Sequence, residues 1–218
     1  MKKNIAVIGI GRFGFALVKT LSTLKSEVLT IDTNEEVLQK VSKYSDREVV
    51  CDSTKIDALR DLDIQNYDTV VVAIGNNMHA TIMTTINLVE LKVPNIIVRV
   101  DQAEYVPVLT KLGATKVMVP EEQSAVSYAH QLTSLNFIDY YDIQGDFGIV
   151  QMKCPDNYKS KTLIDVDPRN KYNVNIVGII RNGKFFIPKG TDNIEPNDDL
   201  LVVGADADLD KFSESLHA

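Results

Sequence analysis

Short apolar runs alternate with segments of helical periodicity through the first 120 residues of the chain. The runs rich in Val and Ile lie at residues 5–8, 28–31, 49–51, 69–74, 95–98 and 116–119. The segments of helical spacing lie between them, at residues 13–24, 35–44, 55–62, 77–91 and 105–112. Continuous apolar runs are typical of strands buried on both faces, and their alternation with helices indicates a parallel sheet. We therefore predict a Rossmann-like, doubly wound α/β domain.

Polar residues and glycine mark the ends of several of these helices. Asp32-Thr33-Asn34 precedes the second helix and Ser53-Thr54 the third, so both segments can supply amino-terminal caps. Gly113 follows the fifth helix and can end it.

The pattern changes after Pro120. A helical stretch covers residues 121–132, and strands are predicted at 137–143 and 147–153 around a Gly145-Asp146 turn. Further strands are predicted at 174–180, 184–187 and 200–203, before a short acidic helix. We predict a smaller α+β lobe, with residues 1–134 forming the Rossmann-like domain and its crossover helix, and residues 135–218 the second domain.

Composition and charge narrow the class of protein. The 218 residues are 44% apolar and 24% charged, which is typical of a folded globular chain. A net charge of −7 argues against a nucleic-acid partner, because such binding relies on Lys and Arg. Cys51 and Cys154 have no zinc-site spacing. With no signal peptide and no apolar run near the roughly 18 residues of a membrane helix, we expect a cytoplasmic protein that reaches a membrane only through a partner.

The strongest local signal is the hexapeptide that follows the first strand, Gly9-Ile10-Gly11-Arg12-Phe13-Gly14. Gly9 permits a tight turn, Gly11 lets a pyrophosphate approach the backbone, and Gly14 allows the helix to pack closely on the strand. The amino end of that helix attracts anions. Asp32, 18 residues beyond Gly14, ends the second strand together with Thr33, where a carboxylate can accept hydrogen bonds from ribose hydroxyls. These residues predict a nucleotide site.

The choice of nucleotide depends on Asp32 and Arg12. Asp32 would repel a 2′-phosphate, which leaves NAD(H), ATP, ADP or AMP. The planar guanidinium of Arg12 suits terminal phosphate oxygens better than an uncharged nicotinamide ribose, so we favour a mononucleotide. The alternative for Arg12 is a solvated residue at a helix start, and Phe13 is interpreted as a packing residue.

Other strand ends should converge on the same crevice, since parallel strands end at one edge of the sheet. The third strand ends at Cys51-Asp52-Ser53-Thr54, which can flank an adenine, although Asp52 suits a helix cap equally well. The fourth ends at Ala73-Ile74-Gly75-Asn76-Asn77, where Gly75 lets a ligand come close.

Two charged residues follow the fifth and sixth strands. Arg99 can contact phosphate or pair with Asp101. Glu121 can hold a divalent or monovalent cation against a phosphate tail, or can simply favour the amino end of a helix.

Support for catalysis is weak in the sequence. The three histidines are His79, His130 and His217, and only His79 lies where it could act as a base, with no carboxylate partner at a readable spacing. An NAD-dependent oxidoreductase using His79 is nevertheless the alternative function. An NADH-sensing transcription factor is disfavoured because no basic patch is visible. The helix at residues 77–91 carries more apolar side chains than one sheet face needs, which indicates a subunit interface or a thickly covered core helix.

The chain resembles the regulator of potassium conductance (RCK) family, in particular the cytosolic gating subunits of bacterial Trk/Ktr-type potassium transporters. The matching segments run in the family's order: residues 6–14, Ile31-Asp32, 71–75, Leu112-Gly113-Ala114 and Val119-Pro120-Glu121. The resemblance implies a non-enzymatic protein that binds ATP or ADP, forms dimers assembled into an octameric ring, and docks on a membrane potassium channel that ATP opens and ADP closes. It also implies that Arg12 contacts the terminal phosphate, that Arg99 contacts phosphate, and that Glu121 holds a cation at the γ-phosphate.

The smaller lobe resembles the family's carboxy-terminal domain, which in some members binds cyclic di-AMP in a dimer cleft. The residues that match such a site are Leu163, Ile164, Asp167, Arg169, Asn175 and Ile176. The resemblance implies aliphatic contacts to adenine, Arg169 on phosphate and Asn175 as a polar contact, with inhibition as the consequence. The alternative is a capped helix beside an ordinary edge strand.

Overall fold

The computed structural model describes residues 3–75, 77–133 and 136–217. The chain divides between Glu121 and Glu122 into two compact units. The boundary expected at residues 134 and 135 lies outside the described residues and stays a prediction.

The first unit is a six-stranded parallel sheet with helices between successive strands, which confirms the doubly wound fold. Its strands are β1 (Asn4–Ile8), β2 (Glu27–Asp32), β3 (Arg47–Val50), β4 (Thr69–Val72), β5 (Ile96–Arg99) and β6 (Lys116–Met118). Its helices are α1 (Arg12–Thr23), α2 (Glu35–Val41), α3 (Ile56–Arg60), α4 (Met78–Glu90) and α5 (Val106–Leu112). Across the sheet the strands follow the order β3-β2-β1-β4-β5-β6, so the chain order reverses between β1 and β4. This reversal opens a crevice at the carboxyl ends of these two strands.

Apolar residues on both faces of this sheet form its core. Along β1, Ala6 and Ile8 join one buried cluster and Val7 joins the other, because successive side chains of a strand point to opposite faces. The edge strand β3 does not follow the expectation of burial on both faces: Glu48 is exposed and Val50 is 56% exposed. An edge strand has a neighbour on one side only, so it is covered less well than the central strands.

The predicted helix ends are correct in two cases and wrong in one. The Asn34 side chain caps α2 by accepting a hydrogen bond from the Glu36 N–H, and Gly113 ends α5 with φ of 110°. Ser53 and Thr54 do not cap α3, which begins after Lys55 without a side-chain cap. The Thr54 hydroxyl instead donates to Asp52.

The second unit contains an antiparallel sheet of five strands in the order β11-β10-β13-β8-β7. The strands are β7 (Phe137–Gln144), β8 (Phe147–Lys153), β10 (Asn175–Arg181), β11 (Lys184–Phe186) and β13 (Asp199–Ala205). Helix α6 (Pro120–Thr133) begins with the last two residues of the first unit and continues into the second. The second unit also contains α7 (Leu163–Val166), α8 (Pro168–Tyr172) and α9 (Asp206–Ser215), and its strand β9 (Lys161–Thr162) pairs with β12 (Asn193–Ile194). β10 lies between β11 and β13, but β11 pairs only with Ile179–Arg181, so Asn175 and Ile176 have a neighbouring strand on the β13 side alone among the described residues.

The core of this unit lies between the sheet and α9. Leu209 and Phe212 of α9 join Met152 and Val202 in one fully buried cluster. Cys154 belongs to the same cluster, where burial and the nearby charge of Asp198 raise the pKa of its thiol to about 12. Within the described part of the chain, no helix combines the length and apolar character that crossing a bilayer requires.

Arg181 and Asp198 form the best-connected ion pair of this unit. Nε and one terminal nitrogen of Arg181 donate to the two Asp198 carboxylate oxygens, each at 2.8 Å. The guanidinium also donates to Glu195 and to the carbonyl oxygen of Asn193. Asp198 is 1% exposed, so its charge depends on these donors for stabilisation.

Replacing Arg181 tests this dependence. Arg181→Met should lower the free energy of unfolding by about 3 kcal/mol, since it leaves the buried carboxylate of Asp198 without its main partner. Lys211→Met removes an exposed pair with Asp208 and should leave stability nearly unchanged. Urea denaturation of both variants measures the difference, and equal midpoints would contradict the expectation.

Candidate nucleotide-binding site

Close backbone packing shapes the glycine loop at the end of β1. Gly9 adopts φ of 92°, and its N–H donates to the Ile31 carbonyl oxygen at 2.8 Å. A Cβ atom on Gly9 would lie 2.8 Å from the backbone of Ala73 and Ile74, and one on Gly14 would lie 2.1 Å from the Gly9 carbonyl oxygen. By contrast, no atom of the described residues lies within 4 Å of a Cβ built on Gly11. The loop therefore packs tightly at both ends and is open in its middle.

The open part of the loop leads into the amino end of α1. Gly11 precedes the helix in an extended conformation and makes no side-chain cap. Arg12 is the first helical residue and is exposed, and no hydrogen bond or ion pair joins its guanidinium to another described residue. Uncapped N–H groups and an unpaired cation at a helix start favour an anion.

Asp32 holds the loop as well as facing the crevice. One carboxylate oxygen accepts from the Ile10 N–H at 2.7 Å, and the other accepts from the Asn34 N–H at 2.9 Å. Each oxygen keeps a further lone pair, so the carboxylate can still accept bonds from ribose hydroxyls.

A cavity of about 370 Å³ lies beside the loop, at the low end of the range of roughly 300–1,000 Å³ for small-molecule sites. It is lined by Ile8, Gly9, Asp32, Thr33, Cys51, Asp52, Ser53, Thr54, Ile74, Asn77, His79 and Ala80. Seven of these, Gly9, Asp32, Thr33, Cys51, Asp52, Ser53 and Ile74, are residues that the sequence predicts for the site. Its size suits a nucleoside better than a whole dinucleotide.

The other predicted residues of the site lie outside the lining of this cavity. Ile10 is 4% and Ala73 3% exposed, so both support the loop from beneath. Gly11, Arg12, Phe13 and Gly14 belong to the loop and the start of α1, and Gly75 is exposed beyond β4. Sequence reasoning missed Ile8 and Ala80 as lining residues and considered His79 only as a base. The cap that Asn77 provides for α4, accepting from the Ala80 N–H, is the signal that could have located Ala80.

The segment that follows the third strand contributes a hydrogen-bond acceptor and a thiol to the cavity wall. Hydrogen bonds from the hydroxyl and the N–H of Thr54 lower the pKa of Asp52. Burial, followed by the charge of Asp52, raises the pKa of Cys51. Asp52 is therefore a carboxylate acceptor in a local turn and not the cap of α3, while Cys51 is a neutral, weakly polar wall.

Arg99 pairs with Glu121 and not with Asp101 as one expectation had it. The Arg99 side chain is only 11% exposed and its Nε has no partner among the described residues, whereas Glu121 is 58% exposed. A hydrogen bond from its own N–H at the start of α6, together with Arg99, lowers the pKa of Glu121. Glu121 thus occupies the favourable amino end of a helix, and this one carboxylate does not make a cation site by itself. Among the described residues, no cluster of three His, Cys, Asp or Glu side chains could hold a metal ion.

The three histidines show no arrangement for acid–base catalysis. His79 is exposed at the rim of the cavity, and no hydrogen bond or ion pair joins it to another described residue. His130 stacks on Tyr140 with ring centroids 3.7 Å apart, and His217 contacts Asn136.

The residues matched to a cyclic di-AMP site lie close together in the second unit. Leu163 and Ile164 begin α7, Asp167 joins α7 to α8, and the Arg169 Nε donates to the Asn175 side-chain oxygen at 2.9 Å. Ile164 is 66% exposed, while Leu163 and Ile176 pack partly against the core. The surface thus carries an exposed aliphatic residue near an exposed guanidinium.

A glycine loop at the switch point of a doubly wound sheet, followed by a smaller antiparallel lobe, defines a two-part protein with a Rossmann-like amino-terminal domain. Residues 5–120 match the TrkA-N domain and residues 153–217 match the TrkA-C domain. The chain belongs to the family of potassium uptake proteins that carry these two domains, which confirms the resemblance found in the sequence.

The curated relatives agree with this assignment, and the structural neighbours agree with the fold. The chain is 37% identical to Ktr system potassium uptake protein C of Bacillus subtilis, covering 98% of this chain and 97% of that protein. It is 35% identical to protein A of the Ktr system of the same organism, covering 96% and 95%. The fold is similar to the RCK domain of GsuK (TM-score 0.67, 15% identity, 97% of this chain and 48% of that one) and to the GsuK channel bound to NAD (TM-score 0.68, 15%, 100% and 40%). The chain therefore spans about half or less of those neighbours.

The two ends of the glycine loop lead to contrasting expectations for substitution. Gly14→Ala should lower the free energy of unfolding by about 3 kcal/mol, because its Cβ cannot fit against the Gly9 carbonyl oxygen without moving the loop. Gly11→Ala should leave the stability of the ligand-free protein nearly unchanged, because its Cβ meets open space. Thermal and urea denaturation test both; a Gly14→Ala variant as stable as Gly11→Ala would show that the loop is not closely packed.

Proposed function

We propose that this protein is a non-enzymatic, nucleotide-sensing subunit of a membrane potassium uptake system, and that it distinguishes ATP from ADP. The observation that carries the proposal is Arg12, which has no partner among the described residues and lies at the open amino end of α1, next to a nucleoside-sized cavity. The near full-length similarity to two Ktr potassium uptake proteins supports the transport system.

In this proposal the nucleoside and the phosphates bind in different places. The adenosine occupies the cavity, with its ribose hydroxyls on Asp32 and its base beside Cys51, Asp52 and Ser53. The phosphates pass over Gly11 toward the amino end of α1, where the helix dipole favours negative charge. Arg12 contacts the terminal phosphate with its planar guanidinium. The cavity then supplies affinity for the nucleoside, and Arg12 distinguishes three phosphates from two.

Arg99 and Glu121 contribute at the far end of the phosphate tail. An added phosphate near the pair competes with Glu121 for Arg99. The Arg99 Nε has no partner among the described residues but is buried, so a phosphate would reach Arg99 through the terminal nitrogen that contacts Glu121. A cation held by Glu121 would need phosphate oxygens to complete its coordination, which makes such a site dependent on bound ATP.

The oxidoreductase alternative and the binding of NAD(H) are tested by comparing the affinities for ATP, ADP and NADH. The NAD-bound GsuK channel has this fold, so NAD(H) belongs among the ligands to be measured. His79 makes no hydrogen bond or ion pair with a described residue that would orient it as a base, which favours the non-enzymatic function. Measured hydride transfer, or NADH binding much tighter than ATP, would favour the alternative.

Gating follows if nucleotide binding changes the assembly. We place the protein in the cytoplasm, as dimers assembled into an octameric ring on the inner face of a membrane potassium channel subunit. ATP and ADP stabilise different ring shapes because they differ in charge at Arg12, and a ligand shifts such an equilibrium only by its difference in affinity for the two states. ATP opens the channel and ADP closes it.

Substituting Arg12 tests the proposal directly. Arg12→Ala should retain adenine-nucleotide binding but lose most of the preference between ATP and ADP. The ratio of the two affinities should change roughly tenfold if the charge-assisted contact contributes about 1.5 kcal/mol. Isothermal titration calorimetry with ATP, ADP and NADH measures this. Lys19→Ala, an exposed cation two turns along α1, is the matched control. A wild-type protein that binds no adenine nucleotide, or an unchanged ratio in Arg12→Ala, would refute the role of Arg12.

For the second unit, we propose a cyclic di-AMP site around Leu163, Ile164, Asp167, Arg169, Asn175 and Ile176 that inhibits the transporter. Exposed Ile164 suits contact with an adenine, and Arg169, already oriented by Asn175, suits a phosphate.

This second site has a test of its own. Arg169→Ala should abolish cyclic di-AMP binding and leave ATP binding intact, whereas Lys184→Ala, an exposed cation on β11, should affect neither. Calorimetry with each nucleotide measures both affinities. Unchanged cyclic di-AMP affinity in Arg169→Ala would remove the arginine from the site.

A further inference from the structure

Helix α4 buries more polar side chains than is usual for a helix that covers a sheet. Its buried residues are Thr81, Thr84, Thr85, Asn87 and Leu88, four of them polar. On the opposite side, Ile86 is 36% and Val89 38% exposed. Amphipathic helices normally turn apolar residues inward, because burying a polar group has a cost unless the group finds a hydrogen-bond partner. The hydrogen-bond partners of these inward-facing polar side chains therefore show which segments α4 holds in place.

Two of the polar side chains reach the segment that ends the third strand. The Thr84 and Ser53 hydroxyls are 2.7 Å apart, in a buried hydrogen bond. The side-chain amide of Asn87 donates to the Ser53 carbonyl oxygen at 3.0 Å, also buried. Ser53 is 5% exposed, so water does not readily replace these contacts.

A third side chain reaches the end of β4. The Thr81 hydroxyl lies 3.3 Å from the Ile74 carbonyl oxygen and 3.0 Å from that of Asn77. Thr85 differs, because the bond that its hydroxyl makes among the described residues is to the Thr81 carbonyl oxygen within the same helix. Thr84 and Thr85 are both fully buried, yet in the described part of the chain the Thr84 hydroxyl bonds to a residue that lines the cavity and the Thr85 hydroxyl does not.

Without the contacts from Thr84 and Asn87, local hydrogen bonds would hold residues 51–54 less firmly. Asp52 closes a turn with Thr54, and the Lys55 N–H donates to the Asp52 carbonyl oxygen at 3.0 Å. These bonds shape the turn, but Thr84 and Asn87 connect it to a long helix. A wall that keeps its position without ligand lowers the entropic cost of binding.

We propose that Thr84 and Asn87 are positioning residues of the nucleotide site, holding the Ser53 segment in place so that the nucleoside cavity exists before the ligand arrives. This inference rests on the proposed nucleotide function and adds residues that do not line the cavity themselves.

The test compares two buried threonines of the same helix. Thr84→Val keeps the shape and removes the hydroxyl, and Thr85→Val does the same one position along, where the hydroxyl bonds only within α4. We expect Thr84→Val to weaken ATP and ADP binding about 5- to 10-fold, as a lost buried hydrogen bond would, while Thr85→Val binds like wild type. Thr84→Ser should restore most of the affinity. Calorimetry is run at a temperature where every variant is fully folded by circular dichroism.

The ratio of ATP to ADP affinity is the readout that separates positioning from loss of structure. Thr84→Val should weaken both nucleotides by the same factor, since it acts at the nucleoside end, whereas Arg12→Ala changes the ratio. If Thr84→Val does not fold, Asn87→Ala carries the same expectation. If the wild-type protein binds the nucleotides, but Thr84→Val or Asn87→Ala binds them with the same affinity as Thr85→Val, this inference is overturned. The proposed function is then left standing. A wild-type protein that binds none of the nucleotides would overturn the proposed function and this inference with it.

Discussion

The contact between Gly14 and the carbonyl of Gly9 is the constraint on which the rest of the site depends. Because Gly14 has no side chain, α1 can approach the end of β1 closely enough for its amino end to face the crevice. Asp32 then bonds the Ile10 N–H and ties the loop to the neighbouring strand. The open face of the loop, at Gly11, is a consequence of this packing on both sides of it.

Beside the cavity, three buried polar side chains have hydrogen-bond partners, whereas an exposed cation has none among the described residues. Ser53, Thr84 and Asn87 satisfy one another inside the domain. Arg12 lies outside and is unpaired among the described residues. Such a division suits a sensor, since the buried groups fix the shape of the cavity while the exposed cation stays available to a ligand whose charge varies.

Much of the fold and part of the site could be predicted from the sequence. The strict alternation of apolar runs and helical segments was sufficient for the order of the first five helices and six strands, and the glycine loop with Asp32 located the crevice. Pairing of Arg99 could not be predicted, because Glu121 is 22 residues away and meets it only through the placement of β5 beside β6. Ser53 was misassigned because a serine before a helix has the same local pattern whether it caps or turns inward. The strands β9 and β12 have two residues each, too few to show a period.

The open edge of the parallel sheet affects how copies of this chain can associate. Among the described strands, β3 has a neighbour on one side only, and its residues include the charged Arg47 and Glu48. Charges on an exposed edge discourage strands of other molecules from adding to it. Extension of the parallel sheet by another molecule is thereby disfavoured at β3.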